Sequence, residues 1–207
     1  MSWGKTTMEL TTATARPQRA DARRNRERVL AAAGEAFAEY GRDAQMDDVA
    51  RRAGVGVGTV YRHFPDKAAL MEALLAARFE QFVEIGRREL EHEDPWTGLW
   101  NWLFACGELQ AADRGFCDCI GEGIAAPRRG ALVVDTGLAE LNAAAFARCQ
   151  EAGVMRMDAE PDDIPLLMAG VAATARREAD AMGGSWRRHL GISLDGLRAP
   201  GSGQLPD

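Results

Sequence analysis

The 207-residue chain has no run of about 18 apolar residues, so no stretch of it reads as a transmembrane helix. Its opening segment, MSWGKTTMELTTATARPQRAD, lacks the apolar centre of a secretory signal, and Met8 is a second candidate start. Cysteine is sparse. The four residues, at 106, 117, 119 and 149, are spaced neither as a disulfide framework nor as a zinc ribbon, and a reducing, cytoplasmic location is the simplest expectation. Cys117 and Cys119 invite a redox or metal reading, but side chains two apart on a helix point about 200° from each other, so only a loop would bring both thiols to one ion. The three histidines, at 63, 92 and 189, are widely separated and no nucleophile–base spacing is recognisable. The sequence therefore offers no catalytic centre, and neither cofactor nor metal is expected. Strand-like alternation and internal repeats are also missing, which leaves an all-α chain.

What the chain does have is a division of charge. The overall net charge is −6. Residues 1–67 carry 12 Lys/Arg and 9 Asp/Glu, or +3, whereas residues 68–207 carry the remaining 13 and 22, or −9. A basic reader of nucleic acid on an acidic body has this asymmetry. Composition is otherwise that of a soluble globular protein, and the length fits one large or two small domains.

The segment AGVGVGTVYRHFPDKAAL, residues 53–70, concentrates the local signals. Residues 46–52 (MDDVARR) form a short helix with Val49 and Ala50 inward, and Gly54 stands where the helix end needs a left-handed backbone. Val55 plugs the turn, and a second helix starting near Val57 carries Thr59, Tyr61, Arg62 and His63. Such a bihelical unit lays its second helix in the DNA major groove. Residues 22–40 place Val29, Leu30, Ala33, Phe37 and Tyr40 at helical spacing, and Gly41 closes that helix. Val29, Ala33 and Phe37, with Val49, Val60 and Phe64, form the expected core of a three-helix head.

Ala33, Phe37, Gly41, Val49, Ala50, Ala53, Gly54, Val55, Thr59, Tyr61, Phe64, Lys67 and Leu70 stand in the order and spacing of one family. Over residues 23–75 the chain resembles the TetR-like (tetracycline-repressor) family of transcription regulators. The resemblance implies a three-helix DNA-binding head with a helix-turn-helix and a helical domain for effector binding and dimerisation. It also implies that Thr59 and Tyr61 touch the DNA backbone. Gln45 departs from the pattern, since the family places there a Thr or Ser that caps the first motif helix and meets a phosphate; glutamine caps poorly. Lys67 can meet a phosphate across the groove. Base reading falls to Val57, Gly58, Arg62 and His63, with Arg62 foremost because a guanidinium grips guanine O6 and N7 together.

Four regions follow: a disordered basic arm over 1–20, a helix-turn-helix domain over 21–67, a helical effector-binding and dimerisation domain over 68–198, and a flexible tail over 199–207. Arg16, Arg19, Arg23 and Arg24 make the arm either a phosphate-reaching element or a solvated tail. A helix over 66–91, capped by Asp66, would link head and body. Asp94-Pro95 opens an aromatic helix to residue 112, a weak helical piece spans 115–126, and a single helix runs from Pro127 to Gly153. A further helix starts at Asp162 or Asp163 and reaches about Met182. A last one, capped by Ser185, extends through Leu197.

Trp96, Trp100, Leu103, Phe104 and Cys106, set among Gly98, Ala105 and Gly107, are the candidates for an apolar effector pocket. Leu167, Val171, Trp186, Leu190 and Leu194 are the candidates for the subunit interface. The leading expectation is a one-component regulator, a homodimeric repressor released from a palindromic double-stranded DNA operator by a small apolar or aromatic effector. The alternatives are a constitutive dimeric repressor without effector and a small helical enzyme. No membrane partner is expected.

Overall fold

Alanine-, arginine- and glutamate-rich sequence starts the first helix earlier than its apolar stripe does. The computed structural model describes residues 15–112, 124–179, 185–199, 203 and 205, and its regular elements are helices. α1 is Ala15–Tyr40. Residues 15–20, expected in a disordered arm, are helical backbone continuous with it: Pro17 falls in the first turn, where its missing N–H costs little, and Ala, Arg and Gln extend an existing helix without a new nucleation step. Residues 1–14 lie outside the described residues. A single 3-10 turn, Gly41–Asp43, leads to α2, Met46–Ala53, and α3, Val57–His63. Val29, Ala33, Phe37, Val49, Val60 and Phe64 are all buried, which makes the head a three-helix core around the α1 stripe.

α4 (Lys67–Glu89) runs unbroken from the head into the body. Its 23 residues span about 34 Å at 1.5 Å per residue. Asp66 caps it by accepting a hydrogen bond from the Ala69 amide at 2.7 Å. α5 (Pro95–Ala112) packs on α4, with the Trp102 indole N–H donating to the Phe82 carbonyl at 2.8 Å. Asp94 caps α5 through the Thr97 amide at 3.1 Å. The Thr97 contact holds the Asp94 carboxyl below its ordinary range.

The single helix expected from Pro127 to Gly153 is instead two, α6 (Ala126–Asp135) and α7 (Leu138–Glu151). The Thr136 hydroxyl donates back to the Leu132 carbonyl at 2.7 Å, and Gly137 takes a left-handed φ of +77°, which ends one helix and redirects the next. Most of the helical piece expected over 115–126, with Cys117 and Cys119, lies outside the described residues. α8 (Asp163–Ala179) and α9 (Trp186–Gly196) complete the body. Ser185 occupies the α9 N-cap position without a side-chain capping bond.

Single residues near the C-terminus have partners in the body. Arg156 grips Asp158 through two hydrogen bonds, Nε to Oδ1 at 2.6 Å and Nη2 to Oδ2 at 2.8 Å. Its guanidinium also donates to the Gly196 carbonyl at 3.3 Å and to that of Gly203. Asp158 accepts from the Leu205 amide at 2.9 Å, and Met155 pairs with Arg198 in an isolated antiparallel bridge. The Arg198 guanidinium lies 4.5 Å over the Trp96 ring. Gly203 and Leu205, which fall in the stretch expected to be a flexible tail, are thus tied to the loop between α7 and α8. Nothing local in the Gly- and Pro-rich sequence there signals this, because the partners sit some forty residues away.

Hydrogen bonding from Arg156, and then from the Leu205 amide, holds the Asp158 carboxyl well below the usual carboxylate range. Its stabilising contribution is therefore complete above the unfolded value of about 3.9 and is lost only as pH falls below that toward the folded value. Asp158→Ala should lower the hydrogen-exchange protection factor of the Leu205 amide about tenfold or more. Wild-type protection should stay level between pH 5 and 8. Equal protection in variant and wild type would show that Asp158 does not hold Leu205.

Candidate nucleic-acid interface

α3 shows two unlike faces. Val60 is wholly buried and fastens the helix to the head, and Phe64 just beyond it is buried as well. On the other side Val57 is 41% exposed and Tyr61 48% exposed, with Gly56, Gly58 and Arg62 also open to solvent. Arg62 Nη2 donates to the Thr59 hydroxyl oxygen at 3.1 Å. Gly58 has open space around it, since a Cβ there would meet nothing within 4 Å. The structure therefore brings Val57, Gly58, Thr59, Tyr61 and Arg62 onto one short helix.

The flanking candidates are placed differently. Gln45 sits at the α2 N-cap without capping it, its side-chain amide donating instead to the Asp43 carbonyl at 2.7 Å. His63 is half-buried and its ring lies 6.3 Å from that of Phe64, so it packs more than it projects. The Lys67 ammonium rests 5.6 Å over the Phe37 ring at the edge of the head. Arg23 and Arg24, near the start of the described side chains of α1, pair along the helix with Glu27 (3.5 Å) and Asp21.

One residue that orders the site escaped the sequence reading. Arg28, on α1, donates Nη2 to the Ala53 carbonyl at 2.5 Å and lies 3.5 Å from that of Gly54. Those are the end of α2 and its C-cap, where unpaired carbonyls carry the negative end of the helix dipole. Gly54 has φ +63°, and a Cβ there would stand 2.9 Å from Arg28 Nη2. Glycine serves the turn twice, by its backbone and by leaving room for the guanidinium. No spacing rule could find this pair across 25 residues. Nearby, Arg52 pairs with Glu39 and lies 5.4 Å over the Tyr40 ring. Hydrogen bonds from Tyr40 and then Arg52 hold the Glu39 carboxyl below its ordinary range.

In the body, the aromatic candidates separate. Trp100 and Phe104 stack with ring centroids 4.8 Å apart, and Phe104 meets Trp186 at 6.0 Å. Trp96 lies instead beneath Arg198, while Leu103 and Cys106 are buried core residues. Burial pushes the Cys106 thiol up and the Cys149 thiol to about 11, so both stay protonated near neutral pH. Among the described residues no cluster of His, Cys, Asp and Glu is placed to hold a metal ion. No described helix is long and apolar enough to cross a membrane.

Four of the five interface candidates are corrected by their burial. Val171, Leu190 and Leu194 are 0% exposed and Trp186 is 2% exposed, so they cannot present a surface to a second copy. Leu167 is half-buried against the same core. The stripe on α9 fills its own subunit: Trp186 lies where a Cβ on Gly107 would stand, 2.5 Å from its ring. Gly170 of α8 serves this packing too, since a Cβ there would fall 2.2 Å from the His189 ring. The outward side of the pair carries Leu166, 72% exposed, and Ile192, 59% exposed, with Ala169 and Ala173 also exposed.

A three-helix head that presents one open helix face beside a helical body defines a helix-turn-helix DNA-binding protein. Comparison with known proteins agrees: "Bacterial regulatory proteins, tetR family" matches residues 29–74, and "Transcriptional regulator SbtR-like, C-terminal domain" matches residues 94–199. A TetR transcription regulatory protein of Mycobacterium vanbaalenii is 38% identical, covering 88% of this chain and 100% of that one, with a TM-score of 0.57. The uncharacterised HTH-type transcriptional regulator TtgW of Pseudomonas putida is 45% identical over 65 residues, 31% of this chain and 48% of that protein. The match thus spans less than half the length of this curated relative. FadR of Bacillus subtilis, crystallised with stearoyl-CoA, shares the fold at 16% identity, covering 84% of this chain and 97% of that one, with a TM-score of 0.67. The chain belongs to the TetR family of transcription regulators, a DNA-binding class and not an enzyme class.

Gly58 separates stability from function. Alanine in its place clashes with nothing in the free protein and should stabilise the short α3 by up to about 1 kcal/mol. The added methyl would stand on the open face of α3, where DNA is expected from the sequence to approach. Gly58→Ala should therefore raise the melting temperature and weaken DNA binding. A variant that binds DNA as tightly as wild type would remove Gly58 from the interface.

Proposed function

We propose that the chain is a homodimeric repressor that grips a palindromic operator with two α3 helices and leaves it when a small apolar or aromatic effector binds. The observation that carries this reading is the open face of α3 on a head joined to the body by one uninterrupted helix, α4. In this reading Arg62 reads guanine O6 and N7, worth roughly 1–3 kcal/mol of discrimination, and Val57 meets a thymine methyl. Tyr61, Thr59, Lys67 and Gln45 meet phosphates and set the register. His63, half-buried, supports the helix end.

Two heads bind successive major grooves only when held about 34–36 Å apart, so the dimer face sets which operators fit. We assign that face to Leu166, Ala169, Ala173 and Ile192, the outward side of α8 and α9. Large aliphatic groups left in water on two adjoining helices are the surface that a second copy would bury. For the effector we assign the side of α5 at Trp100 and Phe104, next to Trp186. The crystallisation of the B. subtilis regulator with stearoyl-CoA supports a ligand role for this fold class. A ligand wedged there acts on α5, which packs along α4, and thereby on the spacing of the heads.

Selection of bound duplexes from a random DNA pool tests the operator part of the reading. A recovered palindrome supports two symmetric heads, and an asymmetric motif contradicts them.

The dimer face has its own test. Leu166→Glu and Ile192→Glu place carboxylates in water in the monomer, so the fold should persist while two charges oppose association. Light scattering should report a monomer with native helicity and operator affinity lowered at least about tenfold. An intact dimer places the interface elsewhere.

Effector action is bound by linkage. Whatever factor a ligand imposes on operator affinity, the operator must impose on ligand affinity. A compound found by thermal-shift screening should quench tryptophan fluorescence, weaken operator binding, and bind the protein–DNA complex more weakly by the same factor. Ala105→Trp, which fills space beside Phe104, should abolish that response and spare DNA binding. A ligand that quenches but leaves operator affinity constant contradicts release and favours constitutive binding.

A further inference from the structure

Arg62, the base reader of the function proposed above, is held before any DNA arrives. Its Nη2 donates to Oγ1 of Thr59, one turn earlier on the same helix, at 3.1 Å. The two groups differ in freedom. Thr59 is half-buried and its hydroxyl turns on one torsion with two helical rotamers, whereas Arg62 is an exposed chain of many rotamers. Helical side chains lean toward the N-terminus of their helix, so this bond aims the guanidinium at the end of α3 formed by Gly56, Val57 and Gly58. The path along that end is clear, because a Cβ on Gly56 or Gly58 would meet nothing within 4 Å.

We propose that Thr59 is a positioning residue for base reading: its hydroxyl oxygen accepts from the Arg62 guanidinium and aims it, while its own hydroxyl hydrogen stays free for a DNA phosphate. The inference rests on Arg62 as the base reader. The donor count permits it. A guanidinium carries five N–H donors, and the bond to Thr59 uses one, leaving enough for a two-point grip on guanine. A guanidinium ordered in advance loses less freedom on binding than a free one, and that gain applies only where the base accepts both bonds. Thr59 therefore adds to discrimination as well as to grip. Backbone contact alone, the role implied by family resemblance, would add to grip only.

The experiment uses the full-length protein and the duplex recovered by selection with wild type, together with its single-base variants at every position, at one fixed salt concentration. Arg62→Ala should flatten the preference at one position per half-site. Thr59→Val, which keeps the shape and removes the hydroxyl, should flatten the same position about three- to tenfold, within the range of a single bidentate base contact. Thr59→Ser should hold the wild-type profile. The double variant Thr59→Val/Arg62→Ala should match the profile of Arg62→Ala alone, since the brace has nothing left to aim. Thr59→Ala repeats the test if valine packs badly in the head, and helical circular dichroism checks each fold. Two results would overturn the proposal. If Thr59→Val weakens every duplex equally and leaves the profile intact, Thr59 only grips the backbone. If Arg62→Ala itself leaves the profile intact, the base-reading assignment fails and the brace fails with it.

Discussion

The reading helix is set by a clamp it does not itself contain. Arg28 reaches from α1 to the last carbonyls of α2 at Ala53 and Gly54, and Gly54 in its left-handed conformation sends the chain into α3. A cation at a helix C-terminus satisfies carbonyls that have no partner within the helix and answers the negative end of its dipole. The angle between α2 and α3 is thereby fixed to α1. Arg52, paired with Glu39 and lying over Tyr40, ties the other side of α2 to the end of α1. Between these two arginines the turn has little freedom, and the exposed side chains of α3 inherit its position.

α4 carries that order into the body because both of its ends are held. Asp66 satisfies its first turn. Arg148 of α7 donates to the Leu90 and His92 carbonyls just past its last. Between them Glu72 pairs with Arg128 of α6 at 2.8 Å, close to the head. This surface ion pair adds little stability, but it gives the start of α6 a contact with the head-proximal part of α4. A helix tied at both ends moves as a rod. In the proposed function, repacking around α5, which lies along α4, would reach α3 through this rod.

The distal helices show how one sequence stripe can serve a different surface from the one it suggests. Trp186, Leu190 and Leu194 repeat at helical spacing and look like an exposed seam, yet they close the subunit's own core against α5 and α8. Gly107 and Gly170 make this possible, because the Trp186 and His189 rings occupy the places their side chains would take. The surface left over carries Leu166 and Ile192. The aromatic helix divides in the same way: Trp100 stacks on Phe104, which meets Trp186, while Trp96 is buried beneath Arg198.

Local chemistry was enough to determine the head, because its signals are short-range. The glycine that ends α2, the alternation of Val57 and Tyr61 outward with Val60 inward, and the Asp66 cap each act within one or two turns. The acidic body and basic head, the all-helical class and the break before Pro95 were equally legible. Tertiary structure decided whatever depends on which faces meet. It chose the buried side of α9, parted Trp96 from Trp100, divided α6 from α7 at Gly137 and tied Gly203 and Leu205 to Arg156 and Asp158. Periodicity states that a face is apolar but not what covers it. Arg28 and Arg156 find their partners 25 and 47 residues away, a distance at which only the folded chain supplies the address.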